Sequence, residues 1–133
     1  MFKKLLGAQL VDINESQITI IPQNSIKPIK INIKQYEGDC CGYNFVKSCL
    51  LFDPNDTKEN PIITNIELKE EREDCFDGHT AFLTFFGISK AMNKSEKLAT
   101  LNCSSSSGSG YEYGACVVLE CEELDLNMLL SEW

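Results

Sequence analysis

The chain's one histidine, His79, closes the segment Asp74-Cys75-Phe76-Asp77-Gly78-His79, which sets a thiol, an imidazole and two carboxylates close together. Any Ser-His-Asp or Cys-His apparatus has to use His79, with a nucleophile held within hydrogen-bond reach. No nucleophile elbow, phosphate-cradling glycine loop or zincin helix accompanies it, so the expectation is a protein that is not an enzyme. Metal binding is the stronger chemical reading. Zinc takes about four thiolate, imidazole or carboxylate ligands, usually as two pairs supplied by turns. Cys75 and His79 form a Cys-x3-His pair, Asp39-Cys40-Cys41 offers a second, and Cys103 and Cys116 bracket a serine-rich segment across which they can face one another. One structural zinc drawing on Cys40, Cys41, Cys75, His79, Cys103 and Cys116 is therefore an expectation. The spacing matches no standard finger or ribbon, and the alternative is scattered thiols with no ligand. Cys49 and Cys121 fall among apolar residues and read as core thiols, which behave as small hydrophobes.

Seven cysteines is an odd and high number for 133 residues. No secretory signal is visible: Lys3 and Lys4 precede Leu5-Leu6-Gly7-Ala8, but Gln9 and Asp12 break the apolar stretch early. With no secretory segment the thiols are expected to stay free or metal-bound in a reducing cytoplasm, and no membrane span is expected. Charge is lopsided. Residues 1–66 hold seven lysines against seven acids, while residues 67–133 hold five basic residues against thirteen acids, so the whole net charge of −8 lies in the second half. Phosphate-backbone binding needs lysine and arginine to displace counterions, so the charge balance argues against it and no direct nucleic-acid binding is expected. A basic partner fits, including a large protein or ribonucleoprotein that itself holds nucleic acid. A plain solvated acidic face is the competing reading.

Elements that would carry these residues are mostly strands. Residues 8–13 and 17–21 flank Asn14-Glu15-Ser16 and read as a hairpin. Ile29, Ile31 and Ile33 alternate with Lys30, Asn32 and Lys34, an apolar face opposite a basic one. Residues 43–52 suit a strand or a short helix. A strand is expected at 62–68, running into the charged segment 69–74, and a central one at 80–88, where Phe82, Phe86 and Ile88 interleave with Leu83 and Phe85. Residues 97–103 and 114–121 read as a hairpin joined through the mobile, polar Ser104-Ser105-Ser106-Ser107-Gly108-Ser109-Gly110. Leu126, Leu129 and Leu130 fall at helical spacing with Asp125 in the first turn, so the spacing predicts a short helix over 122–131, with Trp133 docked on the core. The expected fold is α+β: one domain, 1–133, mainly antiparallel sheet with a short C-terminal helix.

Two surfaces invite a partner. Glu67, Glu70, Glu71, Glu73, Asp74 and Asp77 fall within eleven residues and, with Glu120, Glu122, Glu123 and Asp125, can imitate a row of phosphates. Tyr111 and Tyr113, after the serine-rich segment, offer large contacts at low entropy cost, or else pack on the sheet.

Leu5-Leu6-Gly7, a hairpin, an Ile-rich strand ending in Asp39-Cys40-Cys41, the aromatic strand around Phe82 and Phe86, and Ser109-Gly110-Tyr111-Glu112-Tyr113 together resemble a family of small phage proteins with an Asp-Cys-Cys turn. The extra cysteines at 49, 75, 103, 116 and 121, the segment 74–79 and the serines at 104–107 depart from that pattern. The family itself implies no established activity. A small, acidic phage-type protein without enzyme motifs is similar in class to anti-CRISPR inhibitors. The implied function is docking of an acidic face on a Cas9-type nuclease and obstruction of nucleic-acid loading, by steric and electrostatic means. The alternatives are a zinc-stabilised phage accessory protein that binds another host factor, and an enzyme built on Cys75 and His79.

Overall fold

A computed structural model describes residues 2–37, 43–53, 60–73, 78–89, 93–106 and 115–132. After one turn of 3-10 helix at Lys3–Leu5 the described chain is built from strands: β1 Gln9–Ile13, β2 Gln17–Ile21, β3 Ile29–Glu37, β4 Tyr43–Leu50, β5 Ile62–Glu73, β6 Gly78–Ile88, β7 Glu96–Ser106, β8 Ala115–Cys121 and β9 Leu126–Glu132. They form one sheet in the order β4-β7-β6-β5-β1-β2-β3-β8-β9. Every pairing is antiparallel. Among the described residues no helix is long and apolar enough to cross a membrane.

A sheet this wide buries its apolar face by folding back on itself. β7 packs against β8 and β9, β6 against β9, and β4 against β1, β3 and β8. The inward rows fill the space between the two halves with Leu10, Ile18, Ile20, Ile31, Leu83, Phe85, Leu101, Leu119 and Leu130, all buried. The halves join where β5 meets β1, through a short ladder: Gly7 N–H donates to Ile63 O (2.9 Å), Ile63 N–H to Ala8 O (2.8 Å) and Leu10 N–H to Pro61 O (2.9 Å). Gly7 has φ of 84°, a left-handed conformation that glycine adopts without steric cost. At Gly87 on β6 a Cβ would run into the Ile62 carbonyl and the Leu98 side chain, so only a bare backbone fits beneath that junction.

The alternations in the sequence explain much of this. The first hairpin forms as expected, and Asn14 fixes its turn by accepting Ser16 N–H (2.8 Å) and Gln17 N–H (2.9 Å) on Oδ1. Ile29, Ile31 and Ile33 on β3 are buried, with Lys30 and Lys34 exposed. Residues 43–50 are strand rather than helix, and β5 carries the charged segment onward as regular strand to Glu73.

The expected C-terminal helix is a correction: the fold is nearly all antiparallel sheet. Residues 122–125 make a tight turn, with Asp125 N–H donating to Glu122 O (3.0 Å) and Asp125 at φ 49°. β9 then returns along β8, pairing Leu126 with Cys121 and Met128 with Leu119. Leu126, Met128 and Leu130 are buried while Asn127 and Leu129 face out. The same leucines satisfy a helical stripe and a period-two strand, and the open edge of β8 decides for the strand. The expected hairpin of 97–103 with 114–121 is also corrected. β7 pairs with β4 and β6, and β8 with β3 and β9, so neighbours in sequence are not neighbours in the ladder.

Candidate functional site

The strand ends at Glu37, Tyr43, Glu73, Gly78, Ser106, Ala115 and Glu132 come to one end of the folded sheet, because Glu37 pairs with Ala115, Tyr43 and Gly78 both pair with Ser106, and Glu132 pairs with Cys116. A polar network ties the two halves together there. Asn44 on β4 donates from Nδ2 to the carbonyls of Tyr36 (3.0 Å) and Cys116 (3.1 Å), and its Oδ1 accepts the Ser105 hydroxyl (2.6 Å). Ser105 in turn lies 2.7 Å from the Ser131 hydroxyl. Since the single Ser105 proton goes to Asn44, Ser131 is the donor in that pair.

His79 opens β6, and only 6% of it is exposed. Its Nδ1 accepts the backbone N–H of Glu132 at 3.1 Å, which leaves the ring proton on Nε2, 3.9 Å from Glu70 Oε1. The imidazole is thus a brace between β6 and β9, and its lone pair is already spent. Ser105 is the register partner of His79, yet its proton goes to Asn44 and not to the imidazole. A zinc taking His79 would have to displace the Glu132 amide and leave it without that acceptor.

Cys40, Cys41, Cys75, Asp74, Asp77, Tyr111 and Tyr113, together with Trp133, lie outside the described residues. Of the remaining expected metal ligands, Cys103 is fully buried in the inward row of β7, between Ala81 and Val46. Burial pushes its thiol up to about 12. Cys116 is half-buried and belongs to the opposite, outward row of β8, in register with the exposed Tyr36 and with Glu132. Its thiol is also raised, first by burial and then by the Glu132 carboxylate. Both thiols are free and do not face one another. Among the described residues no three His, Cys, Asp or Glu side chains come together as a metal-holding group. Cys121 is buried as expected, but Cys49 is exposed, a correction. Val46, Ser48 and Leu50 take the inward positions of β4, and the pleat turns Cys49 outward with Phe45 and Lys47.

The pleat also divides the acidic run. In register with the buried Ala81 and Leu83, Glu70 and Leu68 belong to the inward row of β5, while Glu67, Lys69 and Glu71 belong to the outward one. Glu73 is the last residue of β5. The outward row therefore alternates in sign and is not an unbroken line of carboxylates. It borders a face made mainly of small polar residues, Thr80 and Thr84 on β6 with Thr100, Asn102 and Ser104 on β7, interrupted by Phe82 and flanked by Phe45 and Lys47 on β4. Phe45 is 59% exposed at the rim of that face. Sequence reading missed this face, because its residues come from four strands and carry no motif. Glu120, Glu122 and Glu123 do not extend it. They open onto a cleft of about 330 Å³ with Lys30, Asn32 and Lys34, and Glu120 also accepts the Tyr36 hydroxyl at 3.0 Å, which holds that phenol above its usual range.

Comparison with protein-family models, with curated protein sequences and with solved structures found no match to this chain.

Proposed function

We propose that this chain is a non-catalytic binding protein, a phage-type inhibitor that docks on a basic, nucleic-acid-handling partner such as a Cas9-type nuclease and obstructs its loading. The observation that carries this reading is the outward face of β4, β7, β6 and β5, where exposed Glu67 and Glu71 border a face rimmed by the exposed aromatic ring of Phe45. A face of small polar side chains with an aromatic anchor suits macromolecular contact better than enclosure of a small substrate. The net charge of −8 draws a basic partner from a distance, and the mixed row Glu67, Lys69, Glu71 fixes how it seats. The resemblance to small phage proteins favours a partner from host defence.

Capture of guide-loaded Cas9 by the tagged chain, with DNA cleavage followed in parallel, tests this. Stoichiometric capture with loss of cleavage is the expected result. Full cleavage and no capture would remove the Cas9-type partner, and binding that does not change with ionic strength would remove the electrostatic docking.

A further inference from the structure

β9 ends the sheet: His79 takes its amide at Glu132, but among the described residues no strand pairs with its outer edge. Edge strands usually carry a lysine, a proline or a cover that prevents pairing with another chain. From Leu126 to Ser131 β9 has neither a charge nor a proline, and Leu129 is 45% exposed. The opposite edge differs: β4 carries Lys47, and Asn44 engages both backbone and side chain against Glu37, Tyr36 and Cys116. A cleft of about 420 Å³ runs beside β9, lined by Lys4 and by the consecutive residues 125–129. Residues of both parities line it, so it follows the open edge of the strand and not one face of it.

We infer that this edge pairs with the same edge of a second copy of the chain, extending the sheet across a two-fold axis near Leu129. The ends of the strand are complementary. At one end Lys4 Nζ donates to the carbonyls of Leu124 (2.8 Å) and Asp125 (3.1 Å), leaving its third proton for an incoming acid. At the other end Glu132 is exposed. Antiparallel pairing about Leu129 brings each Glu132 to the partner's Lys4, twice by symmetry, and sets the two Leu129 side chains side by side. A heterologous strand would meet Lys4 with only one end, so the doubled charge match selects a second copy.

Sedimentation velocity across micromolar concentrations tests this on the full chain. The wild type is expected to pass from monomer to dimer as concentration rises. Leu129→Lys, at an exposed position, is expected to stay monomeric with an unchanged far-ultraviolet spectrum. Lys4→Glu and Glu132→Lys are each expected to weaken the dimer about tenfold, and the double variant to restore it. A monomer at every concentration would overturn the inference. So would a dimer indifferent to Leu129→Lys, or charge variants that the double exchange does not rescue.

Discussion

Ser105 on β7 and Ser131 on β9 hold their hydroxyl oxygens 2.7 Å apart, both fully buried, across the seam between the two halves of the sheet. The pair is not symmetric, because Ser105 also donates to Asn44 while Ser131 donates to Ser105. Ser105→Ala orphans the Asn44 oxygen and the Ser131 proton together and is expected to cost about 2–3 kcal/mol. Ser131→Ala removes one donor to an oxygen that keeps its own proton engaged, and is expected to cost about 1 kcal/mol. Urea denaturation of both variants checks the order, and equal costs or the reverse would show that the direction of donation is wrong.

His79 is expected to carry its ring proton on Nε2 and not on Nδ1, because Nδ1 receives the Glu132 amide. Nitrogen-detected NMR of the ring reads the tautomer directly, and amide exchange reads the other partner. Protection of the Glu132 amide well beyond that of an exposed strand end is the expected companion result. His79→Ala should abolish that protection and cost about 2 kcal/mol by leaving the amide without its acceptor. A proton found on Nδ1 would contradict the brace.

Cys103 and Cys49 lie on neighbouring strands but present opposite faces, and their reactivities are expected to diverge. Cys49 is exposed and should alkylate in the native state, whereas Cys103 should alkylate only on unfolding, as peptide-resolved mass spectrometry can follow. The raised thiol also links to stability. Above the ordinary value of about 9 the unfolded chain loses the Cys103 proton while the native chain keeps it up to about 12. Stability from this group is complete below pH 9 and falls as pH rises from there toward 12, by up to about 1.4 kcal/mol per unit. Cys103→Ala should flatten that part of the alkaline slope, measured as denaturation midpoint against pH. An unchanged slope would place the alkaline loss on other groups.

The sheet was legible wherever local pattern and final pairing agree. Asn14 marks a turn by its own side chain, and the Ile29, Ile31, Ile33 alternation needs only one core to face. Residues 126–130 were not, because a leucine run this short fits two periods and the choice depends on a distant strand edge. The hairpin expected between 97–103 and 114–121 failed for a related reason: β7 finds β4 and β6, partners that no local signal names. Counting carboxylates along the chain overstated the acidic run, since the pleat sends Glu70 to the His79 side and places Lys69 between Glu67 and Glu71. Cys49 was misplaced by its apolar neighbours, which are inward only at every second position. The polar face and its rim at Phe45 were invisible in sequence, being assembled from residues far apart in the chain.

The central claim is that the outward face of β5 and its neighbours seats a basic partner, and a charge-reversal series tests it most directly. Glu67→Lys with Glu71→Lys, compared with Glu122→Lys and Glu123→Lys, changes the net charge equally in both pairs but only the first pair alters the proposed face. Affinity for guide-loaded Cas9 is the quantity to measure, at two ionic strengths. The expected result is a loss of at least about tenfold for the first pair, greatest at low salt, and a small effect for the second. Equal losses from the two pairs would mean that the partner responds to overall charge and not to this face, and would contradict the assignment.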